Sequence, residues 1–254
     1  MATASSRRAR GAKAASGTFS SVRGTTLSAR IVEQIRAALF AGQIKPGEGL
    51  GSEAQLAERF GVSRMAMRDA LRSLEAGGVV DIRVGAKGGV FIAQGNPDRF
   101  ADALAIQFKL VGITVEEMFD AQIAIEVMAT ELAAERADDD DLERLRGLLD
   151  ELRALSQRPM NPAAASRFTH DSMRFHEALV EASHNRALIA QFRAIAVVLE
   201  PVYGRRTTDE VAKRVIASHK AVLDAVGARD AERACALMRR RLQAVRAKQL
   251  IKPV

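Results

Sequence analysis

Cysteine is nearly missing. Cys235 stands alone among 254 residues, so neither an intramolecular disulfide nor a thiolate zinc cluster can form, and a disulfide-stapled scaffold is excluded. The residue is expected to serve as a small buried hydrophobe. Long apolar runs are missing too: stretches such as Ile195 to Leu199 fall far short of the roughly 20 residues that cross a bilayer. No membrane association is expected, and a reducing, cytoplasmic setting fits the lone thiol. Acidic residues are absent from positions 1–24, where Arg7, Arg8, Arg10, Lys13 and Arg23 lie without a hydrophobic period or an apolar h-region. That segment reads as a disordered basic tail and not as a secretory signal, although its Arg- and Ser-rich composition is shared with mitochondrial transit peptides. Beyond residue 97, glycine and proline are scarce and no alternating strand pattern occurs.

What is present is an ordinary globular composition, 48% hydrophobic and 27% charged, on a length that favours two domains at about 150 residues each. The formal net charge of +7 is distributed unevenly. The tail contributes +5, residues 25–95 hold nine Lys/Arg against seven Asp/Glu, and the remainder is neutral. A basic end on a neutral body suits a polyanion-binding module joined to a domain with a different task.

Within that basic end, Leu27, Ile31, Ile35, Ala38 and Leu39 recur at helical spacing, and Gly42 and Pro46-Gly47 follow as stops. Ser52 with Gln55 three residues on is a capping-box start for a short helix that points Leu56, Ala57 and Phe60 inward and closes at Gly61. Ser63 caps the next helix. Met67, Ala70, Leu71 and Leu74 form its inner side, while Arg64, Arg68 and Arg72 project at steps of four. Two short helices around a glycine turn make a helix-turn-helix, whose second helix enters the major groove of double-stranded DNA. Arg64 and Arg68 on its first turns can fork onto guanine O6 and N7 or clamp phosphate. Ser52 and Ser63, beside free amides at the helix starts, can hold phosphate oxygens. Val79 to Val84 and Gly89 to Ile92, joined by Gly85 to Gly88, predict a two-stranded wing with Lys87 at its tip.

The stretch LGSEAQLAERFGVSRMAMRDALRSLEAGGVVDIRVGAKGGVFIA resembles the DNA-binding domain of the GntR family of bacterial transcription regulators, and is similar to its FadR branch. The resemblance implies a homodimer on a palindromic operator, read through Ser63, Arg64, Arg68 and the wing glycines Gly88 and Gly89. Relatives often carry Arg after the Ser-Glu pair where this chain has Ala54, so their operator sequence does not transfer.

From Asn96-Pro97 onward the pattern predicts seven helices, at about 97–110, 114–136, 139–157, 162–183, 186–205, 208–227 and 230–250, in an antiparallel bundle. The expected fold is therefore mainly α, with the winged helix-turn-helix over 25–95 and the bundle over 96–254. Asp138 to Asp141 reads as a helix start favoured by the macrodipole, with no EF-hand spacing after it. The bundle resembles the FCD domain, through Phe119 to Ala137, Phe168 to Leu188 and Ser218 to Leu242. That resemblance implies effector binding and dimerisation. In many relatives a metal is held by an Asp and a His four apart on one helix and two His on later helices, and a carboxylate effector completes its coordination. Here His176 and His219 match two of the histidines, Ser172 stands for the Asp, Arg241 for the last His, and Gln122 for an Arg that grips the effector.

A guanidinium cannot ligate a metal, so no cofactor is expected. Were a divalent ion such as Zn to bind, the ligands would be His176, His219 and Asp171, the last needing to swing in. The alternative is a pocket in which Arg241, flanked by Gln122, Ser172, His176 and His219, pairs directly with a small carboxylate or other anionic metabolite. His170 and His184 read as surface residues. No nucleophile or general-base motif accompanies the two histidines, so an enzyme is not expected. A purely architectural DNA binder would leave the bundle without a task.

Overall fold

In the computed structural model, which describes residues 26–85, 88–203 and 207–250 and not the side chains of 249 and 250, the chain divides between Gly95 and Asn96 into two compact units. The first contains α1 (Leu27–Phe40), β1 (Gly49–Gly51), α2 (Glu53–Phe60), α3 (Arg64–Ala76), β2 (Val80–Arg83) and β3 (Gly89–Ile92). Ser52 accepts from the Gln55 N–H while the Gln55 side chain accepts from the Ser52 N–H, so the capping box forms as the sequence predicts. Gly61 then ends α2 in the left-handed region at φ 64°, where a Cβ would cost roughly 1–2 kcal/mol. Ser63 caps α3 through the Ala66 N–H. Leu56, Met67, Leu71 and Leu74 pack with Ile31 and Ile35 into one core, each fully buried apolar side chain contributing about 1.5–3 kcal/mol. That packing leaves the opposite face of α3 in solvent.

The wing is antiparallel, with Val80 opposite Ile92 and Arg83 opposite Gly89. β3 is central in the order β1-β3-β2. β1 has no sequence signature, being three residues of which two are glycine. It arises because β3 offers a second edge of unpaired backbone groups.

The second unit contains α4 (Pro97–Val111), α5 (Val115–Arg136), α6 (Asp139–Ser156), α7 (Pro162–Glu181), α8 (Arg186–Tyr203), α9 (Asp209–Gly227) and α10 (Ala231–Leu250). The helix ends agree with the sequence reading to within two residues because the caps are local. Thr114 and Asp138 form capping boxes with Glu117 and Asp141, and Asn96 and Asn161 cap helices that open on proline. α5 packs against α7, α8, α9 and α10, so it buries residues all round, including Gln122, Glu126 and Thr130. No described helix is long and apolar enough to cross a membrane. Cys235 is half-buried, its thiol directed at the Val127 carbonyl at 3.4 Å.

Candidate functional site

On the first unit, the inward stripe of α3 fixes what faces out. Arg64, Arg68 and Arg72 are all exposed, at one-turn intervals along the helix. Met65 lies 76% exposed among them, an apolar tip of the kind that meets a thymine methyl in the major groove. The sequence pattern gave no place to this residue. Arg68 is not free: its Nε and Nη2 donate to the Glu53 carboxylate at 3.2 and 2.9 Å, and that partner raises its pKa. The remaining end of the guanidinium stays open. Ser52 and Ser63 accept the Gln55 and Ala66 N–H groups in capping, which leaves each hydroxyl hydrogen able to donate to a phosphate oxygen beside the helix-start amides. Gly88 and Gly89 have backbone duties: a Cβ on Gly88 would lie 2.4 Å from the Arg83 carbonyl, and Gly89 sits at φ 150° facing Gly51. Lys87 and the basic tail lie outside the described residues.

Inside the bundle, the groups expected from the sequence form a chain of hydrogen bonds. Arg241 Nη2 lies 2.8 Å from His176 Nε2. Since a guanidinium only donates, Nε2 must accept, which puts the His176 proton on Nδ1. Nδ1 then donates to Glu126 Oε2. Gln122 Nε2 donates to the other Glu126 oxygen at 2.6 Å, and Tyr203 Oη donates to Gln122 Oε1 at 2.5 Å. A neutral imidazole therefore bridges a buried carboxylate and a guanidinium, and the two charges answer each other. Burial lowers the Arg241 pKa while Glu126 opposes that shift; burial, then the Glu126 charge, push the Tyr203 phenol up. His219, fully buried, stacks on Phe175 with ring centres 4.1 Å apart and meets the Ser172 hydroxyl at 3.0 Å through Nε2. Burial, then the Arg241 charge, hold its pKa well below 6.5. Its Nδ1 has no partner.

Beside this cluster a cavity of about 740 Å³ opens between α7, α9, α10 and the end of α8. Ser172, His176 and Arg241 reach its wall. Gln122 and His219 are expected there but are not among its lining residues: Gln122 is held between Glu126 and Tyr203 and His219 stacks on Phe175. The sequence reading missed Glu126, Tyr203, Arg214 and Arg240 as members of the site. Tyr203 is the only tyrosine in the chain, a signal that could have marked it. The charged side chains on the cavity wall, Arg214, Arg240, Arg241 and Lys248, are all cationic.

These residues do not fit a metal. The lone pair of His176 Nε2 is directed at Arg241, and a fixed cation stands where a second one would have to enter. Asp171, the alternative ligand, does not swing in. It pairs with Arg174 at 3.2 Å and lies near Arg167 at 3.8 Å, lining a different depression with Glu151. Five residues from His176 on one helix, it points off that residue's face. Elsewhere, Asp138, Asp141 and His184 come together at the start of α6, where both carboxylates already cap the helix. His170 and His184 are exposed and paired with Glu200 and Asp141.

Known proteins match both units of the chain. Residues 27–92 match the bacterial regulatory proteins of the gntR family, and residues 117–244 match the FCD domain. The chain is 34% identical over 208 residues to the HTH-type RmpR of Mycobacterium gastri, covering 80% of this chain and 73% of that one. It is 28% identical over 211 residues to the galactonate operon transcriptional repressor of Escherichia coli K12, covering 81% and 89%. A solved GntR structure from Streptococcus agalactiae shares the fold, with a TM-score of 0.57, 20% identity, and 87% and 99% of the two chains covered. The chain belongs to the GntR family of bacterial transcription regulators, DNA-binding proteins and not enzymes, in which the winged helix-turn-helix is joined to an FCD effector-binding domain.

Proposed function

We propose that the chain is a cytoplasmic homodimer that represses transcription from a palindromic operator and is released by a small anionic metabolite held in the bundle cavity. The observation that carries this reading is the cavity itself, roomy enough for a metabolite at about 740 Å³ and walled by cations without a carboxylate among its described lining residues. Such a site favours an anion and repels a metal ion or a polyamine. The galactonate operon regulator of Escherichia coli is a repressor, and repression is the action proposed for this chain. Dimerisation is supported by the apolar outer face of α4, where Phe100, Ile106, Leu110 and Val111 are 47–73% exposed, and by Val197 on the α8 helix it packs against, 50% exposed. A surface of that kind is costly to leave in water and suits a second copy.

On DNA, Ser63, Arg64, Arg68 and Arg72 would form the major-groove contact, with Ser52, Lys87, Gly88 and Gly89 flanking it along phosphate. The metabolite can act only through its different affinity for the DNA-competent and incompetent states; a coupling of about 1–3 kcal/mol changes operator affinity roughly 5- to 150-fold. The test is selection of a binding sequence from random duplexes, followed by titration of small carboxylates against the complex. A palindromic consensus, and a carboxylate that weakens binding to wild type but not to Arg241→Gln, are expected. Sequence-independent binding, or a response that survives Arg241→Gln, would overturn the proposal.

A further inference from the structure

The cavity holds more positive charge than one carboxylate needs, and the surplus is displaced from the deep end. Arg241 is already balanced by Glu126 through His176, yet its guanidinium lines the cavity and has N–H groups beyond the one given to His176, so it can still donate to a ligand oxygen. Arg214 and Arg240 differ. Both line the cavity and are exposed, and neither meets an acid or a hydrogen-bond acceptor among the described residues. α9 and α10 run antiparallel through a three-residue connection, which sets Arg214 level with the Ala244 turn, about 5 Å of helix rise beyond Arg241. The wall between is mostly hydrocarbon, from Met173, Val211, Val215, Leu237 and Val245, with the hydroxyls of Thr169, Ser172, Thr207 and Ser218 among them.

We infer that the ligand is a two-headed anion, a dicarboxylate with an apolar carbon body, one carboxylate held at Arg241 and the other between Arg214 and Arg240. This rests on the proposal that the cavity takes the effector and narrows its class. Guanidinium forks suit carboxylates at both ends, while the middle gains from burying methylenes.

The experiment is calorimetric titration of the full chain with unbranched saturated dicarboxylates of about four to ten carbons, the range that about 5–10 Å between heads allows, and with monocarboxylates of equal length. Dicarboxylates near one preferred length should bind about tenfold or more tightly than their monocarboxylate partners. Arg214→Gln combined with Arg240→Gln should bring the dicarboxylate down to the monocarboxylate value, while Arg241→Gln should weaken both classes, with unchanged circular dichroism confirming the fold. Equal binding of the two classes, or a double variant that weakens both alike, would overturn the two-headed assignment and leave the cavity as an anion site. Failure of every carboxylate to bind the folded chain would overturn the cavity reading together with it.

Discussion

Along α3 of the first unit, arginines stand at one-turn intervals on a solvent face, and the one that meets an acid, Arg68, does so at the surface. In the bundle, Arg241 is enclosed, with His176 against its guanidinium and Glu126 behind the imidazole. The same side chain thus answers to two different constraints. At the surface, water solvates the charge, and its position on the helix decides what it can touch. Inside, an ion survives only when every neighbour is arranged around it, so function there is bound to folding. The DNA-binding unit should therefore lose affinity without losing stability when an α3 arginine is removed, whereas disturbing the enclosed charges of the bundle should cost stability as well.

The sharpest way to break that contrast is Glu126→Ala. It removes the carboxylate behind His176 and leaves the Arg241 charge enclosed without its counter-ion, a loss of about 3–5 kcal/mol in unfolding free energy for a broken buried pair. Urea denaturation measures it. A variant as stable as the parent would mean that water, not the imidazole bridge, carries the Arg241 charge.

Arg68→Ala probes the other side. Operator affinity should fall by a factor of about 5 to 150 and discrimination at one base position should relax, with the urea midpoint unmoved. Arg72→Ala, a turn further along, should weaken all sequences alike and lower the log-log salt slope by about 1. Titration of labelled duplexes at several salt concentrations separates the two. Equal losses on cognate and random DNA for Arg68→Ala would remove it from the base-reading set.

The same contrast explains what could be read from sequence. Caps at Ser52, Ser63, Thr114, Asp138 and Asn161 act within three residues, so helix starts, the helix-turn-helix and the α3 arginine stripe were all legible. β1 was not, since its pairing with β3 is a tertiary matter for three residues without a pattern. Within the bundle, Ser172, His176, His219 and Arg241 could be singled out by position. Their connections could not: Glu126 and Tyr203 join through helices far apart in the chain, and which face Asp171 takes depends on the partners Arg174 and Arg167. The arginines at the cavity mouth carried no sequence signal at all, because an exposed arginine on a helix is the ordinary case.

The smallest expected effect is a pH dependence that belongs to the bundle alone. His219 is buried beside Arg241, and burial with that charge holds its pKa well below the 6.5 of a free imidazole. As pH falls through about 6.5 the unfolded chain takes up a proton at this position while the folded chain does not, so unfolding binds protons and stability declines. The contribution is fully present above pH 6.5 and is lost at up to about 1.4 kcal/mol per pH unit, until the folded-state pKa is reached. Urea denaturation of wild type and His219→Gln between pH 7.5 and about 5 isolates it. Glutamine can keep a hydrogen bond to the Ser172 hydroxyl but cannot titrate, so the difference in stability between the two proteins should shrink steadily below pH 6.5. His170 and His184, exposed and paired with Glu200 and Asp141 in both proteins, cancel in that difference. Parallel pH profiles would mean that His219 is protonated as readily in the folded bundle as in the unfolded chain. The enclosure that sets Arg241 apart from the α3 arginines would then be far leakier than its neighbours imply.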